Sequence, residues 1–273
     1  MFRVETRQNG YTKAARTFDL IFHNTVRSVR RGHSNAVIGL FSNIVQTLIL
    51  FAILFSLFAF LGMRGAAVRG DYVLYILSGI FVFMTNTKSM GAVAGSEGPT
   101  SAMMQHAPMN TAVAIASSAL AALYTQALTI GVILAVYHLA FTPVSIQDPI
   151  GYMAMVLLAW FSGACVGLVV LAAAPWAPAF VGLVTAIYSR SNMIFSGKMF
   201  LANTLSYTML KFFDWNPLFH IIDQSRGYMF INYYPHNSTL SYPVYVSLVL
   251  LMIGLMGEFY TRRHVSPSWT AGK

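Results

Sequence analysis

Six apolar runs divide this chain: Ala36–Leu61, Tyr72–Val93, Thr111–Ala140, Ile150–Ala173, Ala179–Phe195 and Tyr242–Phe259. A helix crossing a hydrocarbon core of ~30 Å needs roughly 20 apolar residues, and lipid offers no water to an open backbone. Each run meets or approaches that length, which predicts an all-α polytopic membrane protein with six transmembrane helices. Composition points the same way. Charged residues make up 9% of the 273 and hydrophobic ones 56%, whereas a water-soluble domain carries ~25% charge to wet its surface. With so little charge, the surface must face lipid. The first run follows a mostly polar stretch, with no small-residue cleavage site after it, and reads as an uncleaved span rather than a signal peptide.

The net charge is +9, and seven of the seventeen Lys and Arg precede His33. Clustering beside a span marks a cytoplasmic flank and contact with anionic lipid, not a nucleic-acid groove. Arg3, Arg7, Lys13, Arg16, Arg27, Arg30 and Arg31 at one end, with Arg262, Arg263 and Lys273 at the other, put both termini in the cytoplasm. The expected division is a cytoplasmic N-terminus (1–34), a membrane domain (35–262) and a cytoplasmic tail (263–273). Loops 97–110 and 174–178 are then cytoplasmic; loops 62–71 and 141–149 and the long segment 196–241 face outward. Ahead of the first span, Phe18, Ile21, Phe22, Thr25, Val26 and Val29 recur at helical spacing opposite Arg16, His23, Arg27 and Arg30. That predicts an amphipathic helix in the cytoplasmic interface, as a lipid anchor, a lever on a cytoplasmic partner, or both.

Little in the chain supplies chemistry or energy. "FSGKM" (195–199) imitates the end of a phosphate-binding loop, but Asn192 and Met199 stand where that loop needs Gly and Ser or Thr. No ATP site is expected from it. All eight acids avoid the span centres: Asp71, Asp148, Asp214 and Asp223 lie on the outer side, and Glu5, Asp19, Glu97 and Glu258 on or near the inner one. A carrier driven by protons or sodium places such groups in mid-membrane. The single cysteine, Cys165, makes no internal disulfide and reads as a small buried residue. If this chain moves something uphill, another subunit supplies the work.

Two cations approach the spans. Lys88 lies about one and a half turns from the inner end of the second, within snorkelling reach. Arg190 lies about 18 Å past Pro178 at 1.5 Å per residue, too deep for an easy cytoplasmic snorkel, and Tyr188, Ser189, Ser191 and Asn192 surround it. An intramembrane Arg either faces a cavity or the bundle interior as a functional group, or snorkels outward or bonds a neighbouring helix. On the cytoplasmic side, "SEGPTSAMMQHAPMN" offers a start at Gly98–Pro99 and a stop at Pro108 for a short helix carrying Met103, Met104, Gln105 and His106. Methionines adapt to a partner's groove, so the loop reads as a docking element. His106 has no second ligand nearby and reads as a surface contact rather than a metal site.

With "NPLFHIIDQSRGYMF" before the last span, the order of parts resembles the membrane subunit of ABC-2-type exporters for capsular polysaccharide and O-antigen. Asn216, Pro217, His220, Asp223 and Arg226 fill that family's N-P-x-x-H-x-x-[ED]-x-x-R pattern. "MIFSGKMF" (193–200) is similar to its turn after span five, and "EGPTSAMMQHAPMN", with Glu97, Pro108 and Asn110, to its coupling-helix loop. The resemblance implies a homodimer docked on two copies of an ATP-hydrolysing subunit, which would hold ATP and magnesium; this chain would bind no cofactor. The cargo implied is a lipid-linked capsular or cell-surface polysaccharide crossing the bacterial inner membrane, with periplasmic and outer-membrane components receiving it. Twelve helices from two chains enclose a path for a sugar polymer more readily than six. A permease for a smaller lipid or drug shares this fold, and an enzyme using His220 and Asp223 as an acid–base pair is a third reading.

On the exporter reading, residues 196–235 form short re-entrant helices that lid the path, since irregular backbone at membrane depth survives only against protein or a water-filled cavity. Asn216 and Pro217 suit a helix start. His220, Asp223 and Arg226, at i, i+3 and i+6, are expected to bond each other or sugar hydroxyls. Tyr207, Trp215, Tyr228, Tyr233 and Tyr234 offer flat faces to sugar rings or form an interfacial belt, the belt being the better fit for Tyr233 and Tyr234. "NST" at 237–239 reads as a chance match to a glycosylation acceptor.

Overall fold

The computed structural model describes residues 10–31, 36–60, 71–98 and 110–264. They fold into helices, with no strand among the described residues: α1 (Gly10–Arg31), α2 (Ala36–Phe60), α3 (Tyr72–Ala94), α4 (Thr111–Ala140), α5 (Pro149–Ala173), α6 (Pro178–Phe195), α7 (Tyr207–Phe213), α8 (Pro217–Met229) and α9 (Ser241–His264), with a single 3-10 turn at Ala202–Thr204. The sparse polar residues at the loop ends start several of them. Asp71 accepts from Val73 N to cap α3, Asn110 from Ala112 N to cap α4, and Asp148 from Ile150 N and Gly151 N to cap α5 ahead of Pro149.

Five helices, α2, α3, α4, α5 and α9, are long and apolar enough to cross a membrane. The chain is therefore built like a multi-pass helical membrane protein. The sixth expected span is α6, a helix of only 18 residues, about 27 Å long. Its second half holds Tyr188, Ser189, Arg190, Ser191 and Asn192, and that polar run separates it from the apolar five.

The centre of the bundle is α3, buried along most of its length and flanked by α2, α4, α5 and α8. Its contact with α5 is close because α5 presents Gly163 and Gly167, four residues apart, to its backbone. A Cβ on Gly163 would stand 2.2 Å from the Asn86 carbonyl oxygen, and one on Gly167 would stand 2.5 Å from that of Met90. Small residues at this spacing let helices approach where lipid, as apolar as leucine, gives no hydrophobic drive to pack. Asn86 Nδ2 then donates to Ala159 O at 3.0 Å and Ser89 Oγ to Trp160 O at 2.8 Å. Against the other side of α5, α9 lays Ser247, Gly254, Glu258 and Thr261; Thr261 donates to Ala172 O at 2.9 Å, and Glu258 accepts from Thr111 at 2.6 Å. Its opposite face, from Tyr245 to Met256, is exposed and apolar, as a lipid-facing stripe requires.

Helix α1 lies along the start of α4, where Ser117 Oγ reaches Ile21 O at 3.2 Å. Ile21, Thr25 and Val29 are half-buried, while Phe18, Phe22 and Val26 form an exposed apolar row beside the exposed Arg16, His23, Arg27 and Arg30. The helical spacing read from the sequence thus divides in two: one edge packs on the bundle, and the other remains open.

Candidate functional site

Between α6 and α9 the chain builds a compact cap at the end of the bundle where α3 and α5 begin. It starts with a reversal after α6. Gly197 has φ +72°, which L side chains rarely adopt, and a Cβ there would stand 2.4 Å from the Phe219 ring. The glycine and lysine of "FSGKM" therefore serve a turn. Lys198 is fully buried, with Nζ 3.9 Å above the Phe83 ring and donating to Met193 O in the last turn of α6. A lysine there satisfies a carbonyl that the helix leaves open.

Burial pushes the Lys198 ammonium down from 10.5 to about 8, a penalty on the order of 3 kcal/mol at neutral pH. The sign follows from proton counts. Between about 8 and 10.5 the unfolded chain holds a proton that the folded chain has released, so stability rises with pH across that window. Thermal midpoints in detergent should climb from pH 8 to 10, and Lys198→Met should flatten the climb; equal slopes for the two proteins would refute the assignment.

Arg226, also fully buried, is the hub of the cap. Nη1 donates to Gly197 O at 3.1 Å and to Phe200 O, and Nη2 donates to Lys198 O at 2.6 Å. The guanidinium lies 4.4 Å from the Tyr75 ring centre in the first turn of α3. Gly79, one turn further, leaves the room: a Cβ there would stand 2.9 Å from Arg226 Nη2 and 3.3 Å from Lys198 Cβ. One side chain on α8 thus ties the post-α6 turn to the central helix.

Asn216, His220 and Asp223 of the predicted motif are buried and occupied in the same way. Asn216 caps α8 by accepting from Leu218 N at 3.0 Å, and its Nδ2 donates to Asn192 Oδ1 at 2.9 Å and Phe195 O at 3.0 Å; Pro217 takes the first helical position. His220 Nδ1 accepts from Thr239 N at 3.1 Å, so Nε2 carries the proton and donates to Asp214 O at 2.8 Å. Asp223 accepts from Tyr233 and, at 2.7 Å, from Ser238. His220, Asp223 and Arg226 therefore bond the surrounding loops and not one another, because i, i+3 and i+6 fan across about 120° of helix surface. His220 and Asp223 both reach the 233–239 segment, and Arg226 reaches the 197–200 turn. As an acid–base pair, His220 and Asp223 would have to give up these separate partners.

Tyr233 is buried, and its burial and the Asp223 carboxylate push its hydroxyl far above the usual range. The interfacial-belt reading fits the 67%-exposed Tyr234 instead. Ser238, inside "NST", braces Asp223 and accepts from Gln224 at 3.0 Å. Sequence reasoning missed Lys198, Tyr233, Ser238 and Gly79 as parts of this network. A glycine inside the second apolar run was the one available signal for Gly79.

The path candidates divide by exposure. Asn192 is buried against Asn216, Tyr188 is half-buried, and Trp215 and Tyr207 are open, Tyr207 at 75%. Trp215 O accepts from Tyr242 at 2.7 Å, and Lys211 Nζ lies 4.6 Å above the Tyr207 ring. Arg190 is exposed on α6, in a row with Phe180, Leu183, Ile187 and Ile194. Of the coupling candidates, Glu97 is half-buried just beyond α3, while Met103, Met104, Gln105 and His106 lie outside the described residues. Chemically, the cap's buried groups are consumed in holding a shape, and its open aromatics are the surface left for a ligand. No protein-family model fits the chain, and no curated protein is similar enough to count as a relative.

Proposed function

We propose that this chain is the membrane-spanning subunit of an ATP-driven ABC exporter for a lipid-linked capsular or cell-surface polysaccharide, working as a homodimer in the bacterial inner membrane. In this reading α6 is the sixth crossing, both termini are cytoplasmic, α1 lies in the inner interface, and the α7–α8 cap lids the outer end of the path. Glu97, Met103, Met104, Gln105 and His106 belong to the loop that meets the ATPase pair, where ATP and magnesium are held.

The observation that supports this most is Arg190. It stands exposed on a helix whose other open side chains are apolar, with no bonded partner among the described residues. A lone guanidinium against lipid costs several kcal/mol, so such a residue faces water or another chain. A second copy across a wetted path supplies both. The exposed aromatics Tyr207 and Trp215 suit the flat faces of sugar rings where that path would open.

The test is co-expression with a candidate ABC ATPase subunit. The ATPase should co-purify and polysaccharide should reach the cell surface; replacing Met103 and Met104 by Asp should cut the co-purifying ATPase at least about tenfold, as charges in a docking core do. Export by the isolated chain without any ATPase would refute the proposal.

A further inference from the structure

A cavity of about 470 Å³ lies far from the cap, at the opposite end of α3, between α1, α2, α3 and α4. Its lining mixes two kinds of surface. Lys88 on α3 and Gln46, Ser42 and Asn43 on α2 are polar, as is Gln126 on α4; Val37, Leu40 and Leu128 are apolar. Among the described residues Lys88 is the one charge in that lining, and no acid accompanies it there. Its Nζ donates to Gln46 Oε1, its one hydrogen bond among the described residues. An ammonium has three protons to give.

Position narrows what such a cavity takes. Val37, Gln46, Tyr124 and Leu128 at its rim are exposed, and they sit on helices α2 and α4, which are apolar enough to cross a membrane. The mouth therefore opens toward lipid rather than bulk water. Asn43 is held back by Gln126 Oε1 at 2.6 Å and Thr129 Oγ1 at 2.9 Å, so the polar wall is braced from behind. Ser28 and Val29 of α1 close one side, which fixes the depth to the leaflet in which that helix ends. A cation without a counter-charge at this depth is costly, and an anion that can enter from lipid removes the cost.

We infer that this cleft binds the phosphate headgroup of an anionic lipid, with Lys88 on the phosphate, Gln46 and Ser42 beside it, and the hydrocarbon chain leaving over Val37, Leu40 and Leu128. The volume falls within the range of small-ligand sites. Two lipids carry this chemistry: a bulk anionic phospholipid and a polyprenyl phosphate of the kind that anchors a growing polysaccharide.

The full-length protein, stripped of lipid in detergent, is titrated with phosphatidylglycerol, polyprenyl phosphate, diacylglycerol or inorganic phosphate, and bound copies are counted by native mass spectrometry. One phosphate-bearing lipid per chain is expected, held about five- to tenfold more tightly than diacylglycerol, the value of one basic residue on an anionic headgroup. Lys88→Gln should erase that preference and Lys88→Arg should keep it. Ala122→Phe, which fills the cleft with the cation in place, should block both lipids. Preference for polyprenyl phosphate would name the cargo anchor as the ligand; equal binding would name the leaflet's own phospholipid; either supports the inference. Equal retention of diacylglycerol, unchanged binding in Lys88→Gln and Ala122→Phe, or displacement by inorganic phosphate alone at the same affinity would overturn it. The measurement needs no ATPase and no export, so its failure leaves the transporter reading standing, and failure of that reading leaves the cleft standing.

Discussion

Arg226→Leu is expected to loosen the cap and remove about 3 kcal/mol of stability. Three carbonyls, on Gly197, Lys198 and Phe200, lose the guanidinium together. Gly197 O keeps the Phe200 N–H at 3.1 Å, and the other two are buried acceptors left bare at ~1–3 kcal/mol each. Relief from desolvating the guanidinium offsets part of this, because a buried cation without an acid partner is itself expensive. The contact with Tyr75 goes too, and with it the tie between the 197–200 turn and α3. Arg226→Lys should recover only a fraction, since a single ammonium cannot reproduce a planar fork aimed at several acceptors. The measurement is the thermal midpoint in detergent together with protease sensitivity between residues 196 and 241. A wild-type midpoint for Arg226→Leu would mean that the carbonyls find other donors and that the guanidinium is no hub.

Gly163→Val should be as damaging, at the middle of the bundle. The added Cβ would stand 2.2 Å from the Asn86 oxygen and 2.9 Å from its carbonyl carbon. Both are backbone atoms of the central helix, so no flexible side chain can move aside. Helices α3 and α5 must separate, breaking the bonds from Asn86 to Ala159 and from Ser89 to Trp160. Overpacking a core costs ~1–3 kcal/mol even where side chains yield, and a rigid clash with loss of two interhelical bonds should exceed about 3 kcal/mol. Gly131→Ala is the control: nothing lies within 4 Å of a Cβ there, and alanine favours a helix by up to ~1 kcal/mol. Folded yield and midpoint should fall for Gly163→Val and hold or rise for Gly131→Ala. Comparable behaviour of the two would show that α3 and α5 do not depend on close approach.

Much of the architecture is carried by short-range signals. The run Thr111–Ala140 is the helix α4 residue for residue, and Tyr72–Val93 and Ile150–Ala173 each miss α3 and α5 by one residue at an end. Asn216–Pro217 starts α8 as its composition predicts. Such features are local: hydropathy decides which backbone segments must close their own hydrogen bonds, and a cap needs only the residues beside it. The sixth span is where the local signal weakens, because the polar run around Arg190 competes with the apolar one.

What the sequence determined by itself is the helical, membrane-compatible class of this chain, the bounds of α3, α4 and α5 to within a residue, and the presence of a polar, aromatic segment before the last helix, which runs on to His264, five residues past the apolar run that marks it. Which helix stands at the centre was decided only by the tertiary structure. Of the five long apolar helices α3 is the least hydropathic and the most buried, because lipid already accommodates apolar side chains and the interior is left for small and polar ones. The partners of His220, Asp223, Arg226 and Lys198 were likewise set in three dimensions. A spacing along one helix orders its side chains, but the loops that receive them arrive from residues 197–200, 214 and 233–239, and no periodicity in α8 records where those loops will pass.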